Sequence, residues 1–364
     1  MKKLGEISTN KSKKYNPNNE TNFIKCIELE HLSSETGQLL GFVDGSQSGS
    51  IKNVFQKGDV LFGKLRPYLK KYYQPNFDGV CSSEIWVLNG KEILNDFLYY
   101  LIQTNSFVDL ANQSSGSKMP RADWSILENG LFSFPKLEEQ QKIASFLSKI
   151  DERITTQNKI IKELKTLKAS TAKKIFSQEL RFKDDNGNIF SEWEVREVGE
   201  VFKITRGNVL AMNLVSNQCN EKNTYPVYSS QTKNNGLAGY YTDFLFEDAI
   251  TWTTDGANAG DVNYRSGKFY CTNVCGVLIS NEGYANSCIA ELINSVSKNY
   301  VSYVGNPKLM NGVMSEIKIP FPSLPEQTKI ANFLSAIDSK IDMENQLLQK
   351  LEEQKKYLLQ NMFV

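Results

Sequence analysis

The sequence predicts a mixed α/β protein made of two similar domains and two long helices, arranged as a tandem repeat with pseudo-twofold symmetry. Its 364 residues suggest two domains at roughly 100–200 residues each. The segment over residues 135–154 recurs over residues 322–341. Apolar residues in and after both segments follow the spacing of a coiled coil. We therefore expect the two long helices to pair with each other as an antiparallel coiled coil.

The composition narrows the class of protein. Hydrophobic residues make up 40% of the chain, which excludes a disordered protein. No apolar run approaches the ~20 residues of a membrane span, and Met1–Glu6 lacks the apolar stretch of a signal peptide. Six cysteines are too few for a disulfide scaffold, so we expect a cytoplasmic protein. The single histidine, His31, leaves no second histidine for a histidine-rich zinc site.

The internal repeat is the strongest signal in the sequence. Residues 135–154 and 322–341 are identical at 13 of 20 positions when they are aligned at an offset of 187. The match continues weakly to Phe176 and Phe363, and back to Pro120 and Pro307. Further toward the N-terminus the offset drifts by a few residues. The chain is thus a duplication in which each copy is a globular domain followed by a helix.

The helical segments show the seam of a coiled coil. Apolar side chains recur at an average spacing of 3.5 residues. The predicted interface residues are Ile143, Leu147, Ile150, Ile154, Ile161, Leu164, Ile330, Leu334, Ile337, Ile341, Leu348 and Leu351. Equivalent seam positions are polar in both copies, which is typical of a device that fixes register; they are Gln157, Glu344, Lys168 and Lys355. The alternative is two surface helices that each pack on their own domain, but so long and narrow a seam needs a partner helix.

The repeat divides the chain into four parts. We predict a first globular domain over residues 1–134 and a first long helix with its linker over residues 135–183. A second globular domain covers residues 184–320, and a second long helix covers residues 321–364. Each helix of about 40 residues would be about 60 Å long. Such a pair would act as a spacer of fixed length for the two domains.

The loops of the two domains differ far more than the helices do, although both domains keep apolar strands before them. This is the pattern of two readers of different targets built on one scaffold. Arginine pairs with guanine edges, asparagine and glutamine pair with adenine, and lysine, serine and threonine hold phosphates. The candidate DNA-binding residues are Lys64, Arg66, Tyr68, Lys70, Lys71, Ser117, Lys118, Arg121, Arg206, Asn208, Ser230, Gln231, Thr232, Lys233, Asn234, Asn235, Thr254, Asn263, Arg265 and Lys308. The alternative for any one of them is an ordinary polar residue of a surface loop.

The arrangement resembles the specificity subunit of type I DNA restriction–modification systems. The motif that carries the resemblance is Pro-x-Leu-x-Glu-Gln followed by Lys-Ile-Ala-x-Phe-Leu-Ser and Ile-Asp, which occurs at residues 135–151 and again at 322–338. The order of domain, helix, domain, helix also matches, so the resemblance covers essentially the whole chain. The stretches 225–229 and 252–256 look like segments of target-recognition domains in this family.

The resemblance implies a division of labour within a larger complex. Each domain would be a target-recognition domain that reads one half of a bipartite site in double-stranded DNA. The helices would set the gap and dock two methylation subunits that use S-adenosylmethionine. Restriction subunits that use ATP and Mg²⁺ would complete the complex. This chain itself would carry no cofactor.

The sequence lacks the motifs of the enzymes in such a complex. No Asn/Asp-Pro-Pro-aromatic methyltransferase motif and no P-loop is present. Cys271 and Cys275 lack the second ligand pair of a zinc site, so we expect ordinary buried thiols. We therefore predict a non-catalytic subunit. Two alternatives stay open at this point: a recognition domain fused to a methyltransferase, and a coiled-coil adaptor that binds only proteins.

The distribution of charge bears on DNA binding. The net charge is only +1, from 42 basic and 41 acidic residues, whereas DNA-binding proteins usually show a basic excess. Residues 135–183 carry 12 basic and 6 acidic groups, and residues 184–320 carry 10 and 15. Residues 1–134 carry 15 and 14, and residues 321–364 carry 5 and 6. Because phosphate neutralisation supplies most non-specific affinity, we expect the chain to bind DNA weakly unless partner subunits contribute positive charge.

Overall fold

A computed structural model of the chain describes residues 1–19, 22–113, 119–230 and 234–363. The chain forms two compact units. Unit 1 comprises residues 1–159 and 345–364, and unit 2 comprises residues 160–344. Each long helix therefore starts in one unit and ends in the other. The boundaries predicted from the sequence instead give each long helix a segment of its own. They stay a prediction.

Unit 1 is built from short strands, short helices and parts of both long helices. Its strands are β1 (Lys2–Lys3), β2 (Ser8–Thr9), β3 (Lys14–Tyr15), β4 (Lys25–Ile27), β5 (Val43–Asp44), β6 (Lys52–Phe55), β7 (Val60–Gly63), β8 (Tyr72–Tyr73), β9 (Gly79–Cys81), β10 (Ile85–Gly90) and β11 (Leu131–Phe132). Its helices are α1 (Leu4–Ile7), α2 (Asn95–Leu101), α3 (Asn105–Ala111), α4 (Trp124–Leu127) and the start of α5 (Leu137–Phe176).

Two main sheets form the body of unit 1. One has the strand order β2-β10-β7-β8 and the other β3-β6-β9-β4-β5, while β1 pairs with β11. Strands β7 and β10 are continuous apolar runs that are buried on both faces, as expected of central strands. Helix α2 and the start of α5 pack on the same hydrophobic core as these strands.

Unit 2 has longer strands than unit 1 and one main sheet in place of two. Its strands are β12 (Glu194–Glu197), β13 (Lys203–Arg206), β14 (Tyr225–Tyr228), β15 (Leu237–Tyr241), β16 (Phe246–Thr253), β17 (Val262–Cys271), β18 (Cys275–Ile279) and β19 (Lys318–Phe321). Its helices are the end of α5, α6 (Val198–Val201), α7 (Ser287–Ser297), α8 (Asn311–Ser315) and the start of α9 (Leu324–Asn361). The main sheet has the order β13-β18-β16-β17-β14-β15, and β12 pairs with β19.

The two units share details that confirm the predicted tandem repeat of a mixed α/β fold. In unit 1 the parallel pair β4 and β9 aligns Ile27 with Cys81, and in unit 2 the parallel pair β14 and β17 aligns Tyr228 with Cys271. The duplication also includes the short helices α1 and α6, a match that the alignment of the two halves of the sequence missed. A Cβ added at Gly5 would lie 2.9 Å from Glu128 Cβ, and one at Gly199 would lie 3.0 Å from the Cβ of Ser315.

The glutamine of the repeated motif has the same structural role in both units. Gln140 Nε2 donates to the Pro135 carbonyl at 2.8 Å, and its Oε1 accepts from the Leu94 amide at 2.9 Å. Gln327 Nε2 donates to the Pro322 carbonyl at 2.8 Å, and its Oε1 accepts from Asn286 Nδ2 at 2.8 Å. Each buried glutamine thus ties the entry of a long helix to the start of a domain helix, α2 or α7.

The long helices pair antiparallel within each unit, as the spacing predicts. In unit 1 Lys355 of α9 meets Asp151 of α5, whereas in unit 2 Lys168 of α5 meets Asp338 of α9. Seven of the predicted interface residues are no more than 9% exposed; they are Ile143, Leu147, Ile150, Ile161, Ile330, Leu334 and Ile341. The other five are half-buried; they are Ile154, Leu164, Ile337, Leu348 and Leu351.

We predict that truncation of either equivalent leucine in the seam destabilises the protein by a similar amount. Leu147 is 0% exposed and Leu334 is 1% exposed. Replacing either with alanine leaves a cavity, and the free energy of unfolding should fall by about 3 kcal/mol. Urea unfolding followed by circular dichroism measures the loss. The control is Leu167→Ala on the same helix α5, where the side chain is 54% exposed and little should change. Equal losses for all three variants would contradict the seam.

Candidate nucleic-acid interface

In unit 1 the candidate residues gather where β7 ends and a second loop runs beside it. The Lys64 amide donates to the Glu84 carbonyl at 2.9 Å, which extends the pairing of β7 with β10. The Ala122 amide donates to the Lys64 carbonyl at 2.8 Å, and the Arg66 amide donates to the Pro120 carbonyl at 2.8 Å. We call residues 64–66 and 120–122 the loop pair of unit 1.

Unit 2 contains the same backbone arrangement with different side chains. The Thr254 amide donates to the Val274 carbonyl at 3.0 Å. The Leu309 amide donates to the Thr254 carbonyl at 2.9 Å, and the Gly256 amide donates to the Pro307 carbonyl at 3.0 Å. Residues 254–256 and 307–309 are the loop pair of unit 2. The second loop of each pair contains the proline that the sequence repeat had already aligned, Pro120 or Pro307.

One position of the loop pair has left-handed backbone in both units. Gly256 has a φ of +94°, and its counterpart Arg66 has a φ of +52°. Glycine adopts this conformation readily, whereas a side chain makes it less favourable by roughly 1–2 kcal/mol. Such strain in a non-glycine residue concentrates at functional sites. An arginine at a strained loop position therefore points to a role in binding.

The basic side chains of unit 1 differ in how available they are. Arg66 and Tyr68 are exposed, and Arg121 is exposed although its Nε lies 3.1 Å from Glu84 Oε2. Lys64 is half-buried. Lys70 Nζ lies 3.7 Å from Glu35 Oε1, and Lys70 also has a positive φ of 47°.

The side chain of Lys71, in contrast, is hydrogen-bonded within the protein. Its Nζ donates to the Leu29 carbonyl at 2.8 Å, and its own carbonyl accepts from the Gly63 amide at 2.8 Å. Lys71 therefore anchors the loop that carries its neighbours.

In unit 2 the loop pair presents one exposed cation. Lys308 is exposed and occupies the position equivalent to Arg121 of unit 1. Thr254 is fully buried, and its hydroxyl donates to the Val274 carbonyl at 3.0 Å or to Asp255 Oδ2 at 2.6 Å. Its side chain therefore lacks the exposed surface that contact with DNA requires.

Arg265 is also bonded within the protein. It is 9% exposed, and its guanidinium lies 3.8 Å from the centre of the Tyr228 ring. Its Nε donates to Thr251 Oγ1 at 3.0 Å, and its Nη2 donates to the Asn235 carbonyl at 2.7 Å. Burial lowers the pKa of this guanidinium. Arg265 thus holds the turn at residues 234–236, where Asn234 and Asn235 both have positive φ.

The remaining candidates of unit 2 lie on loops and strand ends. Asn208, Asn234 and Asn235 are exposed, whereas Arg206, Ser230 and Asn263 are half-buried. Arg206 Nη2 lies 3.9 Å from the sulfur of Met310. Five further candidates lie outside the described residues: Ser117, Lys118, Gln231, Thr232 and Lys233.

Asn258 is a residue that the sequence reasoning missed. Its Nδ2 donates to the Ser230 carbonyl at 3.2 Å, which ties the loop after β14 to the loop after β16. The only signal in the sequence was its place in the variable stretch after Asp255 and Gly256. A side-chain contact with a carbonyl 28 residues away leaves no periodic pattern to detect.

The cysteines of the repeat are core residues. Cys271 and Cys275 are buried, and burial raises the pKa of Cys275 to about 11. Burial raises the pKa of the Cys271 thiol as well, so both thiols are neutral at physiological pH. Within the described ranges no group of three or more His, Cys, Asp and Glu residues could hold a metal ion. In the same ranges no helix is both long and apolar enough to cross a membrane.

Comparison with known proteins identifies the fold. The chain is similar to the S subunit of a type I restriction–modification system from M. genitalium, with a TM-score of 0.61 and 20% identity over 100% of this chain and 99% of that one. It is 26% identical to the type I restriction enzyme MjaVIII specificity subunit of Methanocaldococcus jannaschii, over 93% of this chain and 80% of that protein. It is 36% identical to the MpnII specificity subunit of Mycoplasma pneumoniae, over 40% of this chain and 44% of that protein.

The family model agrees with the internal repeat. The model for the type I restriction modification DNA specificity domain matches this chain twice, over residues 1–166 and 190–353. Each match covers one copy of the repeat, a globular domain followed by most of one long helix. With its two specificity domains and its antiparallel helix pairing, this chain belongs to the family of type I restriction–modification specificity subunits.

Proposed function

We propose that the chain reads a bipartite DNA sequence and that each unit recognises one half of it. The observation that carries this proposal is the loop pair. The same three backbone hydrogen bonds hold it in both units, whereas the side chains that it presents differ at most positions. A conserved backbone with exchanged side chains is what two readers of different sequences require.

The exposed candidate side chains of the two units suggest different targets. In unit 1 the exposed Arg66 and Arg121 suit the paired acceptors on a guanine edge, and Tyr68 adds an exposed aromatic ring. In unit 2 the exposed asparagines, Asn208, Asn234 and Asn235, suit adenine. We assign Lys71, Thr254 and Arg265 to positioning rather than contact because their polar groups are bonded within the protein.

The helices would set the gap between the two half-sites and dock partner subunits. Helix α5 has 40 residues and α9 has 38, and each is continuous. Two methylation subunits with S-adenosylmethionine would modify the DNA, and restriction subunits with ATP and Mg²⁺ would cut it. The chain itself would be non-catalytic and would act in the cytoplasm. Its net charge of +1 supports a dependence on those partners for phosphate contacts.

One prediction concerns the gap between the two half-sites. The experiment maps methylated bases in the genome of a strain that expresses this chain with its methylation partner. We expect a split, asymmetric motif. Seven residues are then inserted after Lys159 and seven after Gln346, which keeps the heptad pattern and lengthens both helices by about 10 Å. The gap should grow by roughly 3 base pairs, and both half-sites should stay the same.

The outcomes of this mapping separate the alternatives. A continuous motif in the parent strain would refute bipartite reading. Altered half-sites in the lengthened variant would refute the role of the helices as a spacer. The control inserts seven residues after Cys219, in an exposed loop, where no change in the gap between the half-sites is expected.

Another prediction concerns Arg265. Lysine cannot reproduce the two hydrogen bonds and the ring contact of the guanidinium, so Arg265→Lys should release the turn at residues 234–236. We expect DNA affinity of the assembled complex to fall about tenfold, which corresponds to a loss of ~1.4 kcal/mol. Fluorescence anisotropy with a labelled site measures it.

The same measurement tests where the effect lies. Discrimination against base changes in the half-site read by unit 2 should weaken, and discrimination in the other half-site should persist. Lys203→Ala, an exposed change in β13, is the control. Unchanged affinity and discrimination for Arg265→Lys would contradict the positioning role.

A further inference from the structure

The linker after α5 folds into a compact turn within unit 2. Asp184 Oδ1 accepts from the amides of Asn186 and Asn188 at 2.9 and 2.8 Å, and Gly187 has a φ of +86°. Lys183 and Ile189 form a bridge across the turn. The linker is therefore an ordered part of unit 2.

This linker covers one face at the start of α9. Glu326 Oε2 accepts from Trp193 Nε1 at 2.7 Å and from Arg181 Nη2 at 3.4 Å, and Glu326 is 0% exposed. One turn further on, Lys329 Nζ lies 2.7 Å from Asp185 Oδ1. The rings of Phe182 and Phe333 meet edge to face with their centres 5.7 Å apart.

Helix α5 has the same three residue types at the positions equivalent to these residues of α9. Glu139, Lys142 and Phe146 are equivalent to Glu326, Lys329 and Phe333 at the offset of 187. Their spacing of i, i+3 and i+7 puts them on one helix face. All three are exposed. Within the described part of unit 1, their side chains make no ion pair or ring contact. We call these three residues the Glu139 face.

The contrast with the neighbouring glutamine makes this exposure informative. Gln140 and Gln327 are both buried and make equivalent bonds, so the glutamine of the motif is used in both units. The glutamate beside it is buried by the linker in unit 2 and open in unit 1. Among the described residues, a glutamate, a lysine and a phenylalanine that are identical in both copies therefore have side-chain partners in only one of them.

We propose that the Glu139 face is a docking site for a segment of a partner protein with the chemistry of this chain's own linker. That segment would offer an arginine and an indole N–H to Glu139, a carboxylate to Lys142 and an aromatic ring to Phe146. Unit 2 supplies the template for each contact, since Arg181, Trp193, Asp185 and Phe182 make the equivalent ones there.

A second copy of this chain is a poorer occupant than a different protein. Arg181, which is 13% exposed, already donates to the carbonyls of Phe190 and Ser191 at 2.9 and 2.7 Å as well as to Glu326. A copy could lend its linker only by opening its own unit 2. Of these two occupants, a segment of a different protein is the one that we propose.

The test uses a synthetic peptide of residues 177–193, labelled with a fluorophore, and the full chain. Fluorescence anisotropy should show binding with one peptide per chain, because the face on α9 is already filled. Glu139→Gln and Phe146→Ser should each weaken peptide binding at least tenfold. A peptide with Arg181 and Trp193 both replaced by alanine should bind at least tenfold more weakly to the parent chain.

Two controls make the result decisive. Glu138→Gln changes an exposed carboxylate beside the face and should bind the peptide as the parent does. Unchanged circular dichroism and melting temperature of each variant exclude loss of fold. No binding of the parent peptide, or binding that Glu139→Gln and Phe146→Ser leave intact, would overturn the proposal.

Discussion

The structure depends on a lysine that crosses the helix seam to meet an aspartate, once in each unit. Lys168 Nζ lies 2.8 Å from Asp338 Oδ2 and 2.6 Å from Glu291 Oε1. Lys355 Nζ lies 2.7 Å from Asp151 Oδ1, and Tyr100 donates to Asp151 Oδ2 at 3.0 Å. Burial opposes the charged form of Lys168, but the hydrogen bonds to its two carboxylates offset it, so its pKa is raised. A shifted register would leave the half-buried Lys168 and the buried Lys355 without their carboxylate partners, which is unfavourable.

Each of these pairs also contacts the helix of the recognition domain. Glu291 belongs to α7 and Tyr100 to α2, so the seam lysine or its aspartate ties a domain helix to both long helices of its unit. The buried glutamines of the motif make a second tie at the helix entries. With the domain helix fixed, the apolar central strands and the loops at their ends are fixed in turn. The variable loops can therefore change without disturbing the frame that carries them.

The sequence predicted the frame better than the site because the two depend on different kinds of contact. Seam positions such as Leu147 and Leu334 repeat with a fixed period, and burial follows that period. The roles of Arg265 and Thr254 could not be predicted in this way, since both depend on partners distant in the chain, such as the Asn235 carbonyl for Arg265. Their residue types suggested contact with DNA, whereas their burial favours a positioning role. The equivalence of Gly5 and Gly199 was missed because the offset there is 194 rather than 187.

The central claim is that each unit reads its own half of the DNA site on a shared frame. The most direct measurement replaces residues 1–134 with the equivalent segment of another specificity subunit and maps methylated bases in the host genome. We predict that one half-site changes to that of the donor, while the other half-site and the gap between them stay the same. A change in both half-sites, or in neither, would contradict it.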